Sequence, residues 1–281
     1  MSGTLFVVAT PIGNLEDITL RALRVLREAD LIAAEDTRRT ARLLAHYAIS
    51  TPTTSFHRHN TRSRLPTLVA RLERGDSVAL VTDAGTPGVS DPGTELVQAC
   101  VERNIVVDPI PGVSAPLAAA VASGFPLAPL TIFGFVPARA KDRKYWLERV
   151  QALSHTFSFF EAPHRILRTL LDASTILGDR PILIAREISK VHQEFIRGRT
   201  GDIVGQITDV RGEFTVVVGP NDPPSTALNM SNDQEIWAEF GRLNYKVVGG
   251  RRQLVVDLAR KHGRSPKDVY AIIEKLKGSG V

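Results

Sequence analysis

Cysteine is almost missing from this 281-residue chain. Its single thiol, Cys100, excludes an internal disulfide and a thiolate cluster for zinc, and the setting ELVQACVERN places it buried on a helix. No apolar run reaches the roughly 18 residues that a membrane-spanning helix needs, so no membrane association is expected. The opening MSGTLFVVATPIGN lacks a basic n-region and a small-residue cleavage site; it reads as a strand and points to a cytoplasmic protein. The nucleotide fingerprints G-x-G-x-x-G and G-x-x-x-x-G-K-[ST] are both absent, which weighs against NAD and ATP. Histidine offers only HRH (57–59): two imidazoles at i, i+2 without a third ligand make a weak site, and no metal is expected.

What is present is the balance of a globular protein, with 43% apolar and 23% charged residues. Nine runs read as strands: LFVVAT, DLIAAE, SVALVTDA, IVVDPI, LTIFGF, TFSFFEA, PILIAREI, EFIRG and EFTVVVG. Between many of them, stretches such as ITLRALRVLREA, RLPTLVARLE, TELVQACVER, WLERVQAL and RILRTLLDAST have helical spacing. The alternation predicts an α/β fold with largely parallel sheets covered by helices. Nine strands exceed the usual sheet of about five or six, so two sheets and two α/β domains are expected. The Gly/Pro-rich step GFPLAP sets the boundary, giving an N-terminal domain over 1–125 and a C-terminal one over 126–222. Residues 223–233 read as a polar linker to a small helical domain, 234–281. There RRQLVVDLARKHG ends at Gly263, and SPKDVYAIIEKLKG starts with Ser265 as N-cap and Pro266 at the first position. Two short helices so joined resemble a helix-turn-helix.

The formal charge of +5 is unevenly placed. Residues 246–281 hold nine Lys/Arg and three Asp/Glu, a net of +6, while residues 1–245 net −1. Within the latter, 38–74 carries eight arginines against one acid, Glu73. Two basic zones on a near-neutral body point to a polyanionic partner, nucleic acid first; solvated helix faces are the plain alternative.

Ligands of parallel sheets bind at the carboxyl ends of strands. Six unusual segments follow expected strands: TPIGN (10–14), EDTR (35–38), DAGTPGVSDPG (83–93), PGVSA (111–115), EAPHR (161–165) and REISK (186–190). In the longest, Gly85 and Gly88 permit positive φ and close backbone approach, while Pro87 and Pro92 stiffen the path. Asp83 and Asp91 weigh against bare phosphate as the ligand and suit a cation or a hydroxylated, partly positive cofactor.

In this order TPIGN, AEDTRRT, VTDAGTPGVSDPG, PGVSA, FFEAPHR and REISK resemble the ribosomal small-subunit methyltransferase I family, over nearly the whole chain. Those enzymes are tetrapyrrole-methylase-like and use S-adenosylmethionine (SAM). The resemblance implies two α/β domains with SAM in the cleft between them, and a homodimer. It also implies 2′-O-methylation of a cytidine ribose in 16S ribosomal RNA, at the decoding centre of the small ribosomal subunit. Matched by position, Pro11, Gly13, Asp83, Gly85 and Pro87 are expected to line the SAM pocket with Ser114, Ala115 and Phe160, and Phe214 and Thr215 to close it. Glu35-Asp36 is expected to face the substrate, and Gly88-Val89-Ser90 is a local departure that carries no weight.

Methyl transfer from a sulfonium needs in-line approach of the 2′ oxygen, whose proton calls for a general base. Asp36, Glu161, His164, Glu187 and Lys190 are the candidates, and residue type does not rank them; Glu187 with Lys190 also reads as an ordinary ion pair. Arg38, Arg165 and Arg186 are expected to hold RNA phosphates or fix carboxylates. The nearest alternative keeps the fold and changes the substrate to a corrinoid precursor or a protein side chain, which the basic zones disfavour. A non-catalytic RNA-binding assembly factor is the other.

Overall fold

Strands β1 (Thr4–Val8), β2 (Leu31–Ala34), β3 (Thr53–Ser55), β4 (Val78–Val81) and β5 (Val106–Ile110) pair in the order β3-β2-β4-β1-β5. Every pairing is parallel. LIAA and VALV, the runs of β2 and β4, are buried at every position, as strands covered on both faces must be. Helices α3 (Thr61–Glu73) and α4 (Thr94–Glu102) cover one face through Leu68, Leu72, Leu96 and the buried Cys100. On the other lie α1 (Leu20–Glu28) and α2 (Thr37–His46), which bring Leu23, Leu26 and Leu44. Thr19 caps α1 by accepting from the Ala22 N–H at 3.1 Å. The computed structural model describes residues 2–221, 233–244, 250–262 and 264–278.

The second sheet contains β6 (Leu130–Phe135), β7 (Thr156–Glu161), β8 (Pro181–Arg186), β9 (Glu194–Arg199) and β10 (Phe214–Val218), in the order β6-β7-β10-β8-β9. Here the expectation of largely parallel pairing fails. Only β6 and β7 run parallel; β10 is antiparallel to β7 and β8, and β8 to β9. The connection from β8 to β9 covers residues 187–193, too short for the crossover a parallel neighbour needs. Among the described residues the expected nine strands become ten, because Thr53–Ser55, a short polar run, pairs with β2 without any apolar pattern to announce it.

Helix α5 (Ala115–Ser123) follows the first sheet in sequence but sets Ala119 against Leu183, Ala185 and Val217 of the second. The opposite face packs on α6 (Ala140–Gln151) and α7 (Ile166–Leu177) around Phe157, Phe159, Leu147 and Leu170. Trp146 meets Phe159 edge-on with ring centroids 5.4 Å apart.

The chain divides into two compact units, Met1–Asn221 and Asp222–Val281. In the second, α8 (Asp233–Asn244), α9 (Gly250–Lys261) and α10 (Pro266–Gly278) share a core of Ile236, Phe240, Leu254, Leu258, Val269 and Ile273. The two helices expected from the sequence are therefore joined by a third. Ser265 caps α10 through a 3.1 Å bond from the Asp268 N–H. Apart from Asp233, the expected linker 223–233 lies outside the described residues, as does the expected helix end at Gly263.

Arg180, immediately before β8, is wholly buried. It donates to Gly219 O at 2.6 Å and Leu153 O at 3.0 Å, with its guanidinium carbon 5.1 Å from the Phe157 ring centroid. Arg180→Met strands these carbonyls in an apolar setting and should lower stability by roughly 3 kcal/mol. Urea unfolding reads this as a lower midpoint, and an unchanged midpoint rejects the assignment.

Candidate active site

All five strands of the first sheet point their carboxyl ends to one edge, so TPIGN, EDTR, DAGTPGVSDPG and PGVSA emerge together. In the second sheet β7 and β8 end side by side. Because β10 runs against both, its first residue, Phe214, pairs with Glu161 and Arg186 at those ends. The two edges enclose a cavity of about 430 Å³. From the first sheet come Ile12, Glu35, Asp83–Thr86, Val89–Asp91 and Ser114–Pro116; from the second come Phe135, Phe160–Pro163 and Glu213–Thr215.

Backbone exchange holds the long loop in place. Thr10 N–H donates to Gly85 O at 2.8 Å, and Gly85 N–H returns to Thr10 O at 2.9 Å. Gly85 does this at φ +81, the left-handed region that favours glycine. Further on, Ser90 Oγ lies where a Cβ on Gly134 would come within 2.9 Å, so the glycine lets the loop cross onto β6.

Three carboxylates converge on the cavity from the first sheet. Asp83 Oδ1 accepts the Asp36 N–H at 3.0 Å, its Oδ2 faces Arg39 at 3.3 Å, and its own N–H donates to Glu35 Oε2 at 3.2 Å. Asp91 makes no hydrogen bond or ion pair among the described residues. Burial pushes its carboxyl up to about 7, helped by the charges of Glu35 and Asp83 and opposed by Arg58.

Seven of the ten residues expected to form the cofactor pocket line this cavity: Asp83, Gly85, Ser114, Ala115, Phe160, Phe214 and Thr215. Pro11 lines a smaller neighbouring space of about 150 Å³ that shares Arg39 and Asp83. Gly13 and Pro87 are not in the lining; a Cβ on Gly13 would come 2.4 Å from Lys190 Cγ, so that glycine lets the REISK turn close over TPIGN.

The expected proton acceptors fare differently. Asp36 lies outside the cavity lining; the Arg38 guanidinium and N–H hold its carboxyl well below the usual carboxylate range. The Glu161 side chain is fully buried, accepting from Thr169 Oγ1 at 2.6 Å and the Ala162 N–H at 2.7 Å and pairing with Arg165 at 2.6 Å. His164 is exposed and outside the lining. Lys190 bridges Glu187 at 2.8 Å and Glu213 at 3.1 Å. Burial alone would lower its ammonium, but the two carboxylates win and raise it; burial likewise opposes Glu187, whose carboxyl Lys190 and the Glu213 N–H hold low. Lys190 therefore stays a cation, and neither partner of this pair is a ready base.

Arg165 and Arg186, expected to meet RNA, are 17% and 12% exposed and serve carboxylates instead: Arg165 binds Glu161, and Arg186 binds Glu194 and Asp209. Arg38 is 88% exposed.

A sequence model described as Tetrapyrrole (Corrin/Porphyrin) Methylases matches residues 4–204. A Halalkalibacterium halodurans protein named Ribosomal RNA small subunit methyltransferase I is 40% identical over 278 residues, 96% of this chain and 94% of the relative. A Thermotoga maritima protein of the same name is 47% identical over 218 residues, 77% of this chain and 98% of the relative. The chain belongs to the ribosomal RNA small subunit methyltransferase I family. Among solved structures, diphthine synthase aligns with TM-score 0.63 at 14% identity over 78% of this chain and 90% of that one. Uroporphyrin-III C-methyl transferase from Thermus thermophilus, complexed with S-adenyl homocysteine, aligns at 0.55 and 19% over 77% and 97%. Both likenesses concern the tetrapyrrole-methylase fold.

Several lining residues of this family member escaped the sequence reading. Val89 and Ser90 fall in the stretch given no weight, and Phe135 lies on a strand that looked merely apolar, yet its ring sits 5.4 Å from that of Phe160. Glu213 precedes β10, whose antiparallel course could not be read. Among the described residues, no group of three or more His, Cys, Asp or Glu could hold a metal ion, and no helix is long and apolar enough to cross a membrane.

Glu161→Ala leaves the Arg165 cation largely buried without its partner, which should cost about 3 kcal/mol. Glu161→Gln should cost less, since the amide oxygen still accepts from Thr169. Thermal unfolding of the two variants checks the order, and equal effects overturn it.

Proposed function

We propose that the protein transfers the methyl group of SAM to the 2′ oxygen of a cytidine in 16S ribosomal RNA, at the decoding centre of the small ribosomal subunit. It does so in the cytoplasm, as a homodimer. One observation carries the reading: a single cavity sets carboxylates on one wall and aromatic rings on the other, with exposed arginines along the first sheet beside it. The names of the relatives, at 40% and 47% identity, support the substrate class.

The residues present fit SAM. Glu35 and Asp83 suit a sulfonium cation in a partly dry site. Phe160 and Phe135, with ring centroids 5.4 Å apart, offer apolar surface for an adenine ring. Ser114 and Ala115, at the start of α5, bring backbone N–H groups with no intrahelical partner. When bound, SAM supplies an electrophilic methyl group. The chain's own work is to hold the ribose hydroxyl in line with it, exclude water and accept the hydroxyl proton.

RNA capture falls to the surface around the starts of α2 and α3. Arg38, Arg42, Arg58, Arg62 and Arg64 are all exposed there. Asp36 caps α2, whereas α3 has neither a side-chain cap nor an acidic residue in its first turn. Cations at the start of α3 oppose its macrodipole, so their placement does not serve that helix; a phosphate backbone would relieve it. Of the five, Arg42, Arg58, Arg62 and Arg64 make no ion pair among the described residues. The basic second unit offers further cations to the same polyanion.

The direct test is methyl transfer from labelled SAM to small subunits or 16S RNA, with the modified ribose mapped; absence of a 2′-O-methylcytidine at the decoding centre rejects the reading. Two variants probe its parts. Gly85→Val forces a β-branched residue to φ +81, and should reduce SAM affinity at least tenfold in calorimetry. Replacing Arg42, Arg62 and Arg64 with Ala should weaken subunit binding and flatten its log K against log salt slope by about one for each phosphate no longer neutralised. SAM affinity should stay unchanged, and a full slope in the triple variant moves RNA capture elsewhere.

A further inference from the structure

The cavity needs a proton acceptor, and the candidates expected for it are spent or misplaced: Asp36 on Arg38, Glu161 on Arg165 and Thr169, Glu187 on Lys190, and His164 outside the lining. The remaining carboxylates of the lining are also occupied. Glu35 accepts the Asp83 N–H, Asp83 holds Arg39 and the Asp36 N–H, and Glu213 meets Lys190. That leaves Asp91. It lines the cavity beside Ser90, on the loop that crosses to β6. Neither oxygen has a hydrogen-bond or ion-pair partner among the described residues.

We propose that Asp91 is the general base of the methyl transfer, accepting the proton of the attacking ribose hydroxyl. This rests on reading the protein as a SAM-dependent 2′-O-methyltransferase. In the step, the hydroxyl oxygen forms its new bond to the methyl carbon. The carbon–sulfur bond breaks and its electron pair returns to sulfur, leaving a neutral thioether. The hydroxyl proton passes to Asp91 and then to water.

The surroundings tune this carboxylate for the task. Glu35 beyond β2 and Asp83 beyond β4 face it as like charges, and Arg58 beyond β3 is the opposing cation. With burial, they bring Asp91 to about 7, close to the working pH at which a base combines availability with proton affinity. The active form is the carboxylate, so the rate falls as pH drops through this value. A bound sulfonium favours the ionised form, so the acid limb of kcat lies below that of kcat/KM.

Asp91→Asn keeps the shape and removes the base. In single-turnover transfer to small subunits it should slow the chemical step on the order of 100-fold, while SAM affinity changes less than threefold. The acid limb should vanish, and Asp91→Glu should restore it with part of the rate. A second readout needs no activity. A carboxyl raised in the fold binds its proton more tightly there than in the unfolded chain, so it destabilises the fold as pH rises from about 4 through about 7. Without cofactor, Asp91→Asn should therefore melt near the wild type at pH 4 and above it at pH 8. Three results overturn the proposal: a variant within threefold of the wild-type rate, an acid limb that persists in Asp91→Asn, or a SAM affinity that falls in step with the rate. Failure of the wild type itself to methylate any small-subunit RNA removes the underlying reading and the proposal with it, whereas an active wild type beside an unimpaired variant removes only Asp91.

Discussion

Thr10 and Gly85 exchange two backbone hydrogen bonds of 2.8 and 2.9 Å, and the arrangement of the cavity follows from that bridge. It ties the loop after β1 to the loop after β4, the neighbouring strand. Gly85 can make both bonds because it sits at φ +81, and in doing so it turns the chain away from the first sheet and across to β6. Asp83 lies just before the bridge and Asp91 just after the crossing. The same bridge therefore sets the acidic wall and carries it toward the second sheet. Pro87 and Gly93 shape this path from behind; a Cβ on Gly93 would lie 2.8 Å from Leu80 in the core.

Charge is sorted by depth. Carboxylates occupy the cavity wall, where lower dielectric strengthens their hold on a cation and their repulsion of one another. Arginines occupy the rim, where screening leaves them effective mainly against a dense polyanion such as a phosphate backbone. Arg39 belongs to both zones, on the rim of α2 with one nitrogen 3.3 Å from Asp83.

The second sheet contributes through its antiparallel course. β10 starts where β7 and β8 end, so Phe214 and Thr215 reach the cavity from a strand that runs away from it. The turn after β8 holds Glu187 and Ser189 at φ +51 and +70, a conformation that costs energy in residues other than glycine. Contacts with the first sheet's loops restrain it: Ser189 donates to Asp17, and Lys190 lies against Gly13. REISK is thereby a strut between the two sheets, and its ion pair is structural.

Much of this was legible along the chain. The buried runs LIAA and VALV, the cap at Ser265 and the glycine-proline loop are local features, since strand, cap and turn each depend on a few consecutive residues. The family pattern located seven of the cavity's residues because motif positions keep their order. What the sequence could not decide was pairing across distance. Whether β10 runs with or against β7, and which of several carboxylates is left without a partner, are outcomes of packing between segments tens of residues apart. Asp36 and Asp91 are the same residue type in similar loops. One is captured by its neighbour Arg38; the other is held among Glu35 and Asp83, with Arg58 acting on it only through its charge and no direct hydrogen-bond or ion-pair partner among the described residues. The sequence by itself determined most of the elements and the motif loops between them; only the tertiary structure decided the chemistry of each carboxylate, because a side chain's proton affinity depends on the charges and solvent around it.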